Sequence, residues 1–469
     1  MKSVAAALIV VAGGALVTGL ETLREAASAG SGPAGGSAKE VFSTVRDTVV
    51  TSARSASASL AARAPRARRF PAAATTSVTT IPASLAVPEV GAPSSPPAGA
   101  RGFVPALEGL RGLAAVGVLT THVAFVTRTS TGSTVKRLFG RLDLAVAVFF
   151  AKSGFLLWRS HAAHARRGDP GTARSTPAYL RSRLVRIMPA YGALVVAAML
   201  LLPQNHVNGP GKWLVNLTLT QIYTPGFLVA GLTHAWSLAV EMAFYLALPV
   251  LWTAMKGLHG DAARWRIPVI AAFGMSGVLF PMIPWQSAGL LPAGVNEQIL
   301  PPAFAAWFAV GMILAEVATA PPGTFVRLCR DRLARWGWWI AGGAALVATT
   351  VPAWFSEGFV HPSPGEFASR NGLAAAMAFL VLSPAVLAPQ EARFPVLESA
   401  PLQSLGRWSY GIFLWHLLVL HYAFPLTRTG LWDRRMHVIW PVTVAGSVAA
   451  GAASHTWLEE PARKALERR

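Results

Sequence analysis

The amino-acid sequence has little charge and few acidic residues. Only 13% of its 469 residues are charged, and 21 acidic residues face 41 basic ones, which gives a net charge of +20. Ordinary soluble domains carry about twice that share of charge. The hydrophobic share is 53%. This composition excludes a typical soluble domain and predicts an all-α, polytopic membrane protein.

The excess of basic residues does not indicate nucleic-acid binding. The arginines concentrate in alternate short loops, which is how the cytoplasmic loops of membrane proteins are marked. We therefore expect the lipid bilayer to be a partner of the chain, and we expect no nucleic acid.

Cysteine is nearly absent. The one cysteine, Cys329, excludes an internal disulfide and any cysteine-based metal cluster, and no metal is expected. Because it lies in a basic loop, Cys329 is interpreted as an inert cytosolic thiol.

The first hundred residues differ in composition from the rest. Residues 3–20 are apolar but only marginally long enough to span a membrane. Residues 21–100 are rich in Ala, Ser, Gly and Pro, and such a stretch predicts a disordered, mildly basic tail. We therefore divide the chain into an N-terminal segment, 1–100, and a membrane domain, 101–469. A cleaved signal peptide is the alternative for residues 3–20, and whether these residues form a further span is left open.

Apolar segments predict ten membrane spans after the tail. Their approximate ranges are 107–127, 142–159, 184–203, 234–255, 267–283, 299–319, 336–355, 371–389, 404–424 and 437–458. The loops after the even-numbered spans are basic, whereas two of the outer loops contain Lys212 as their single Lys or Arg between them. Two other outer loops carry basic residues and weaken the contrast. The alternation predicts a multi-pass protein of the plasma membrane with both termini in the cytoplasm.

The first span carries an arginine and a histidine on one face. Arg111 and His122 are eleven residues apart, and a helix turns about 1100° over that distance. The rise of about 16 Å places His122 near the bilayer midplane, where ionisable groups are costly and usually functional. Two simpler interpretations stay open. Arg111 could pair with Glu108 as a topological anchor, and His122 could make a polar contact between helices.

Two further motifs carry basic side chains suited to an anionic ligand. Lys152 lies inside the second span, where it must snorkel, pair with a carboxylate or meet an anion. Arg181, Arg183 and Arg186 stand at the start of the third span. Topology explains the first two, while the deeper guanidinium of Arg186 suits phosphate binding.

The fourth span brings a carboxylate into the membrane from outside. Glu241 lies seven residues after His234 on the same face, and Ser237, Glu241 and Tyr245 form a stripe at i, i+4 and i+8. Glu241 would lie about 10 Å below the outer surface, which leaves roughly 4 Å of depth between it and His122. If the two helices are neighbours, the side chains could meet directly or through a bridging hydroxyl. Pairing with a Lys or Arg is the simpler alternative.

The ninth span contains His416 at its middle. The surrounding aromatic residues recur at helical spacing, which usually indicates packing. The sequence leaves both a packing role and a functional role open for His416.

These motifs occur in an order that closely resembles one family. LRGLAAVGVLTTH, VFFAKSGFLL, RSRLVRIMPAY, HAWSLAVEMAFYLALP, LGRWSYGIFLWH and a terminal WLEEP are similar to the acyltransferase-3 family of integral membrane acyltransferases. The resemblance covers about residues 105–461. It implies a fold of ten helical spans that takes an acyl group, usually acetyl, from acyl-CoA in the cytoplasm. The implied acceptor is a hydroxyl of a sugar, glycolipid or natural product, often at the outer face.

The family's motifs can be carried over residue by residue. Its Arg-X10-His and Trp-Ser-Leu-x-x-Glu motifs correspond to Arg111 and His122, and to Trp236, Ser237, Leu238 and Glu241.

Two positions depart from the family pattern. The family often has Asp where this chain has Ala147, with Asp143 one turn earlier, which puts a supporting carboxylate in doubt. Lys152 stands where the family usually has Val, Ile or Leu.

We therefore predict a membrane O-acyltransferase with acyl-CoA, expected to be acetyl-CoA, as its donor substrate. His122 is predicted as general base or transient acyl carrier, and Glu241 orients the acceptor or the imidazole. The predicted contacts for the CoA phosphates are Arg186, with Arg111, Arg181, Arg183 and Lys152. The predicted contacts for the acceptor are Trp236, Ser237, Tyr245 and His416.

Two other classes of function remain as alternatives. A proton-coupled transporter or flippase of an envelope glycolipid precursor would use His122, Lys152 and Glu241 as a relay. The sequence has no internal repeat or paired broken helices to support it. A scaffold whose tail recruits cytosolic partners is the third interpretation.

Overall fold

The fold is known from a computed structural model that describes residues 104–167, 175–356, 361–389 and 391–467. Over these residues the regular structure is helical, and they contain no strand. The predicted tail and the apolar segment 3–20 lie outside the described residues.

The α-helices are numbered in chain order. Ten of the helices in the described residues are fourteen residues or longer, and α4 and α12 exceed twenty-five. They are α1 (Pro105–Val126), α3 (Val146–Arg166), α4 (Thr176–Leu201), α6 (Trp236–Met255), α7 (Arg266–Leu279), α8 (Ala305–Thr319), α10 (Arg332–Ala348), α11 (Pro364–Leu387), α12 (Ala400–Thr427) and α13 (Met436–Ser454). The short helices are α2 (Thr134–Phe139), α5 (Pro210–Leu217), α9 (Thr324–Arg330) and α14 (Glu460–Glu467).

Local sequence signals explain several helix starts. Pro105 opens α1, where its fixed φ suits the first turn and its missing N–H would have had no helical partner. Asp331 caps α10, because its side chain accepts a hydrogen bond from the Ala334 N–H at 2.8 Å. These signals set where the helices begin but not how they pack.

Helices occupy all ten segments predicted as spans, and eight helical stretches are long and apolar enough to cross a membrane. The two predicted spans outside that set are 142–159, on α3, and 336–355, on α10. The first contains Lys152 and Arg159, while α10 is only 17 residues long. The polytopic, all-α prediction is confirmed.

Close helix crossings bring α1, α3, α8 and α12 together. A Cβ added at Gly154 of α3 would strike a backbone carbonyl of α8, and one added at Gly311 of α8 would strike the carbonyl of Ala151 in α3. A Cβ at Gly406 of α12 would likewise strike the carbonyl of Glu108 in α1. Small residues permit such close contact between membrane helices. The face of α1 that bears polar residues is thereby held against α3 and α12.

Candidate active site

Glu108 lies between two cations at one end of α1. Its Oε2 accepts a hydrogen bond from Arg111 Nη1 at 2.9 Å, and its Oε1 accepts one from Lys152 Nζ at 2.7 Å. The pairing of Arg111 with Glu108, the simpler sequence interpretation, is present. Lys152 is buried and uses the carboxylate from α1 rather than snorkelling to the surface.

His122 and His416 are in contact further along α1. Nε2 of His416 lies 3.1 Å from Nδ1 of His122, and the ring centroids are 4.9 Å apart. His416 is fully buried, whereas His122 is partly exposed. The two residues that the sequence placed near mid-span on separate helices therefore form one unit.

A third histidine completes this cluster. His234, in the short turn Thr233–Ala235 before α6, packs its ring against His416 with centroids 4.8 Å apart. Its Nε2 lies 3.1 Å from the Leu414 carbonyl, so this nitrogen donates. The sequence alone assigned no role in the site to His234. Its place seven residues before Glu241 was visible, but its contact with α12 was not.

Asp143 supplies a carboxylate near His122. It lies in the turn Leu142–Ala145, which precedes α3 and contacts α1. Its negative charge acts on the His122 ring, and its Oδ1 is buried without a hydrogen bond to the described residues. Ala147, where the family often has Asp, is buried, and the nearby negative charge comes instead from Asp143, one turn earlier.

Glu241 is held by two hydroxyl groups. Its Oε1 accepts from the Ser153 hydroxyl at 3.2 Å and also, in a short hydrogen bond, from Tyr245. The predicted stripe of Glu241 and Tyr245 is present, but Ser237 donates instead to the His234 carbonyl at 3.1 Å. Within the described residues Glu241 makes no hydrogen bond to His122. Any link between the two would require a bridging group.

The predicted phosphate-binding arginines differ in their surroundings. Arg181 and Arg186 are exposed, while Arg183 is partly buried over the Tyr179 ring at 5.9 Å. Arg186 makes no hydrogen bond or ion pair to the described residues, and its positive charge acts on both Arg111 and Lys152. A cluster of this kind is electrostatically unfavourable without an anion.

Trp236 lies beside an aromatic cluster. Its ring stacks on Phe304 with centroids 4.8 Å apart, and Phe304 in turn contacts Trp307 at 4.8 Å. This contact favours a packing role for part of the Trp236 ring.

A buried ion pair was missed by the sequence analysis. Arg266 lies at the end of the basic loop that follows the fourth predicted span; it begins α7 and is buried, with its Nε 2.6 Å from Glu316 Oε1. The same Glu316 oxygen accepts from the Trp158 indole at 2.7 Å. These residues join α3, α7 and α8. No local sequence signal predicts such a pair, because each of the two residues, considered alone, resembles a charge at the membrane boundary.

The part of the chain described by the structure contains no group of three or more His, Cys, Asp and Glu residues that could hold a metal ion. Cys329 is a free thiol and is buried.

Comparison with known proteins identifies the family of the chain. A family model described as an acyltransferase domain matches residues 104–454. Acyltransferase MdmB of Streptomyces mycarofaciens is 27% identical over 386 residues, which cover 78% of this chain and 93% of that protein. Nodulation protein 10 of Rhizobium leguminosarum bv. viciae is 26% identical over 358 residues, 68% of this chain and 82% of that protein.

A third relative is longer than the region it shares with this chain. Peptidoglycan O-acetyltransferase OatA of Listeria monocytogenes is 23% identical over 387 residues, 78% of this chain and 56% of that protein. No solved structure matches the chain. Since the family model covers the histidine cluster, the Glu108 ion pairs and Glu241 together, this chain belongs to the acyltransferase-3 family of integral membrane acyltransferases.

Proposed function

We propose that the protein transfers an acyl group, expected to be acetyl, from cytoplasmic acyl-CoA to a hydroxyl group of a cell-envelope saccharide, glycolipid or related natural product. The observation that carries the proposal is the partly exposed imidazole of His122, which shares one helix with Arg111 and lies against a second, buried histidine. A general base must have a free ring nitrogen within reach of the proton that it removes. The OatA relative is named as an O-acetyltransferase, which supports a hydroxyl acceptor.

Donor binding is assigned to the arginines near the start of α4. Arg186 has no protein partner among the described residues, and its charge acts on Arg111, so a phosphate between them would relieve their repulsion. Arg181 and Arg183 extend this positive surface. Lys152, whose ammonium is already paired with Glu108, contributes its charge rather than a direct contact.

The reaction proceeds by proton removal and thioester attack. His122 accepts the proton of the acceptor hydroxyl while that oxygen attacks the thioester carbonyl. The carbon–sulfur bond then breaks, the ester is formed, and the CoA sulfur leaves and takes the proton from the imidazolium. In an alternative order His122 attacks the thioester first and carries the acyl group to the hydroxyl.

Glu241 is proposed to bind the acceptor. Ser153 and Tyr245 donate to one of its oxygens, which orients the carboxylate and leaves the other oxygen for a sugar hydroxyl. Trp236 and Ser237 remain as proposed parts of the acceptor site, with Ser237 acting through the backbone at His234. The basic loops support a plasma-membrane protein with both termini in the cytoplasm.

The experiment uses purified protein in liposomes with radiolabelled acetyl-CoA and a total lipid extract from cells that express the protein. We expect free CoA to be released and label to enter the extract, or the protein itself if an acyl-histidine forms. His122→Ala should lower turnover by about 10²–10⁴-fold, the usual contribution of a general base. The matched control is His421→Ala, which changes an exposed histidine of the same helix that carries His416.

Two outcomes would contradict the proposal. If His122→Ala keeps more than about a tenth of wild-type turnover, the imidazole is not the base. The second outcome is that wild-type protein releases no CoA and transfers no acetyl label, while a separately labelled envelope glycolipid crosses the liposome bilayer. In that case the flippase alternative replaces acyl transfer.

A further inference from the structure

Both ring nitrogens of His416 have a polar partner. Its Nδ1 lies 2.6 Å from the Phe413 carbonyl and its Nε2 lies 3.1 Å from Nδ1 of His122. On its other side the His234 ring packs against it, and His234 is itself anchored to the Leu414 carbonyl. His416 therefore has no freedom to turn and no free nitrogen with which to act as a base.

The positions of the protons follow from these partners. A carbonyl oxygen can only accept, so Nδ1 of His416 must carry a proton in order to donate to Phe413. A neutral His416 then has an unprotonated Nε2, which can only accept. That lone pair is directed at Nδ1 of His122.

His122 meets a second acceptor at the same nitrogen. The carbonyl of Val118, one turn earlier in α1, lies 2.9 Å from Nδ1 of His122. Two acceptors thus converge on one nitrogen, and both are satisfied only when Nδ1 carries the proton. In a neutral imidazole the other nitrogen, Nε2, is then unprotonated.

We propose that His416 is a positioning residue that holds His122 in the tautomer whose Nε2 is free to take a proton. The proposal rests on the acyl transfer proposed above and assigns a specific duty to the second histidine. When His122 becomes an imidazolium during the reaction, His416 accepts a stronger hydrogen bond from it. A carboxylate has this duty beside the base of serine hydrolases, and loss of the correct tautomer there is severe.

The first test compares two replacements of His416 in the reconstituted protein. His416→Leu removes the acceptor, and we expect kcat to fall by about tenfold to a hundredfold while KM for acetyl-CoA stays within about twofold. The loss is smaller than for an inverted tautomer because the Val118 carbonyl still accepts from Nδ1. His416→Gln offers an amide oxygen to His122 and an amide N–H to Phe413, so it should recover most of kcat. His421→Leu, on the exposed part of the same helix, is the matched control and should leave kcat and KM unchanged.

The second test does not depend on a stable variant. Wild-type protein labelled with ¹⁵N-histidine in liposomes is compared by solid-state NMR with His122→Gln, and the signals that disappear belong to His122. We expect a protonated Nδ1 and an unprotonated Nε2 at neutral pH. The reverse assignment would overturn the proposal, whether or not His416→Leu inserts into the membrane.

The two proposals fail in different ways. If wild-type protein transfers acetyl groups and His122→Ala is inactive, but His416→Leu keeps kcat within about twofold, the positioning role is refuted and acyl transfer stands. If His122→Ala is as active as wild type, the proposed base is refuted, while the NMR experiment still tests the tautomer.

Discussion

Replacing Glu108 by Gln should destabilise the protein strongly, because one carboxylate serves two cations. The side chains of Lys152 and Glu108 are only 8% and 15% exposed, with Nζ and Oε1 2.7 Å apart. At an effective dielectric constant of about 20, charges about 4 Å apart attract with roughly 4 kcal/mol. Glu108→Gln removes that attraction and the similar one to Arg111, while the repulsion between the two cations remains.

The net loss is expected to be about 3–5 kcal/mol, the usual cost of breaking a buried ion pair from one side. The double variant Glu108→Gln/Lys152→Met removes the ammonium as well and keeps the volume of the side chain. We expect it to recover to within about 2 kcal/mol of wild type, because no unpaired buried ammonium is left.

The assay is unfolding of the purified protein in mixed micelles by titration with SDS, followed by tryptophan fluorescence. Glu460→Gln is the matched control, since Glu460 forms an i,i+4 pair with Lys464 in which the side chains are 34% and 57% exposed, far more than those of Glu108 and Lys152. Such surface pairs contribute little, so the control should unfold with the wild-type protein. The reasoning is refuted if Glu108→Gln is as stable as wild type, or if the double variant is no more stable than the single one.

Three further predictions concern the donor site, the helix crossing and the cysteine. Arg186→Ala should raise KM for acetyl-CoA by about ten- to a hundredfold, because a charge-assisted contact to phosphate contributes roughly 1.5–3 kcal/mol. Arg327→Ala, at an exposed arginine, is the control and should leave KM unchanged. If KM is unchanged in both variants, Arg186 does not bind the donor and serves only to orient the helix in the membrane. Gly311→Ala should lower the free energy of unfolding by about 1–3 kcal/mol or prevent folding, because the added Cβ would meet the backbone of α3. Gly343→Ala is the control, since a Cβ at Gly343 would meet nothing within 4 Å. Equal expression levels and equal melting temperatures of the two variants would contradict the close crossing of α3 and α8. Burial raises the pKa of the Cys329 thiol to about 11. Maleimide at pH 7.5 should therefore label Cys329 only after the protein is unfolded in SDS. Rapid labelling of the native protein would contradict this prediction, because it would show that the thiol is accessible.

Features that depend on nearby residues were predictable from the sequence. Each of the ten predicted spans lies on a helix, because in a bilayer a long apolar segment must satisfy its own backbone hydrogen bonds. The pairing of Arg111 with Glu108 was foreseen for a similar reason, since residues three apart on a helix are neighbours. The bond between Tyr245 and Glu241 follows the same rule at a spacing of four.

Partners that lie on different helices were not predictable. Lys152 was known to need a carboxylate or an anion, but its partner Glu108 is 44 positions away. Glu241 was expected to approach His122, and it is instead held by Ser153, which is 88 positions away. The distance between two residues along one helix follows from helix rise, whereas the rotation of that helix relative to its neighbours does not.

The sequence by itself therefore determined a helical membrane protein and the helical segment on which each candidate side chain stands. Tertiary structure alone decided that His122 and His416, 294 positions apart, form one hydrogen-bonded unit. It also decided that His234 supports them. The physical reason is that glycine crossings such as Gly311 against α3 and Gly406 against α1 set the distance and rotation of neighbouring helices. Those two quantities decide which polar side chains meet, and both arise from the packing of whole helices rather than from any single segment of the chain.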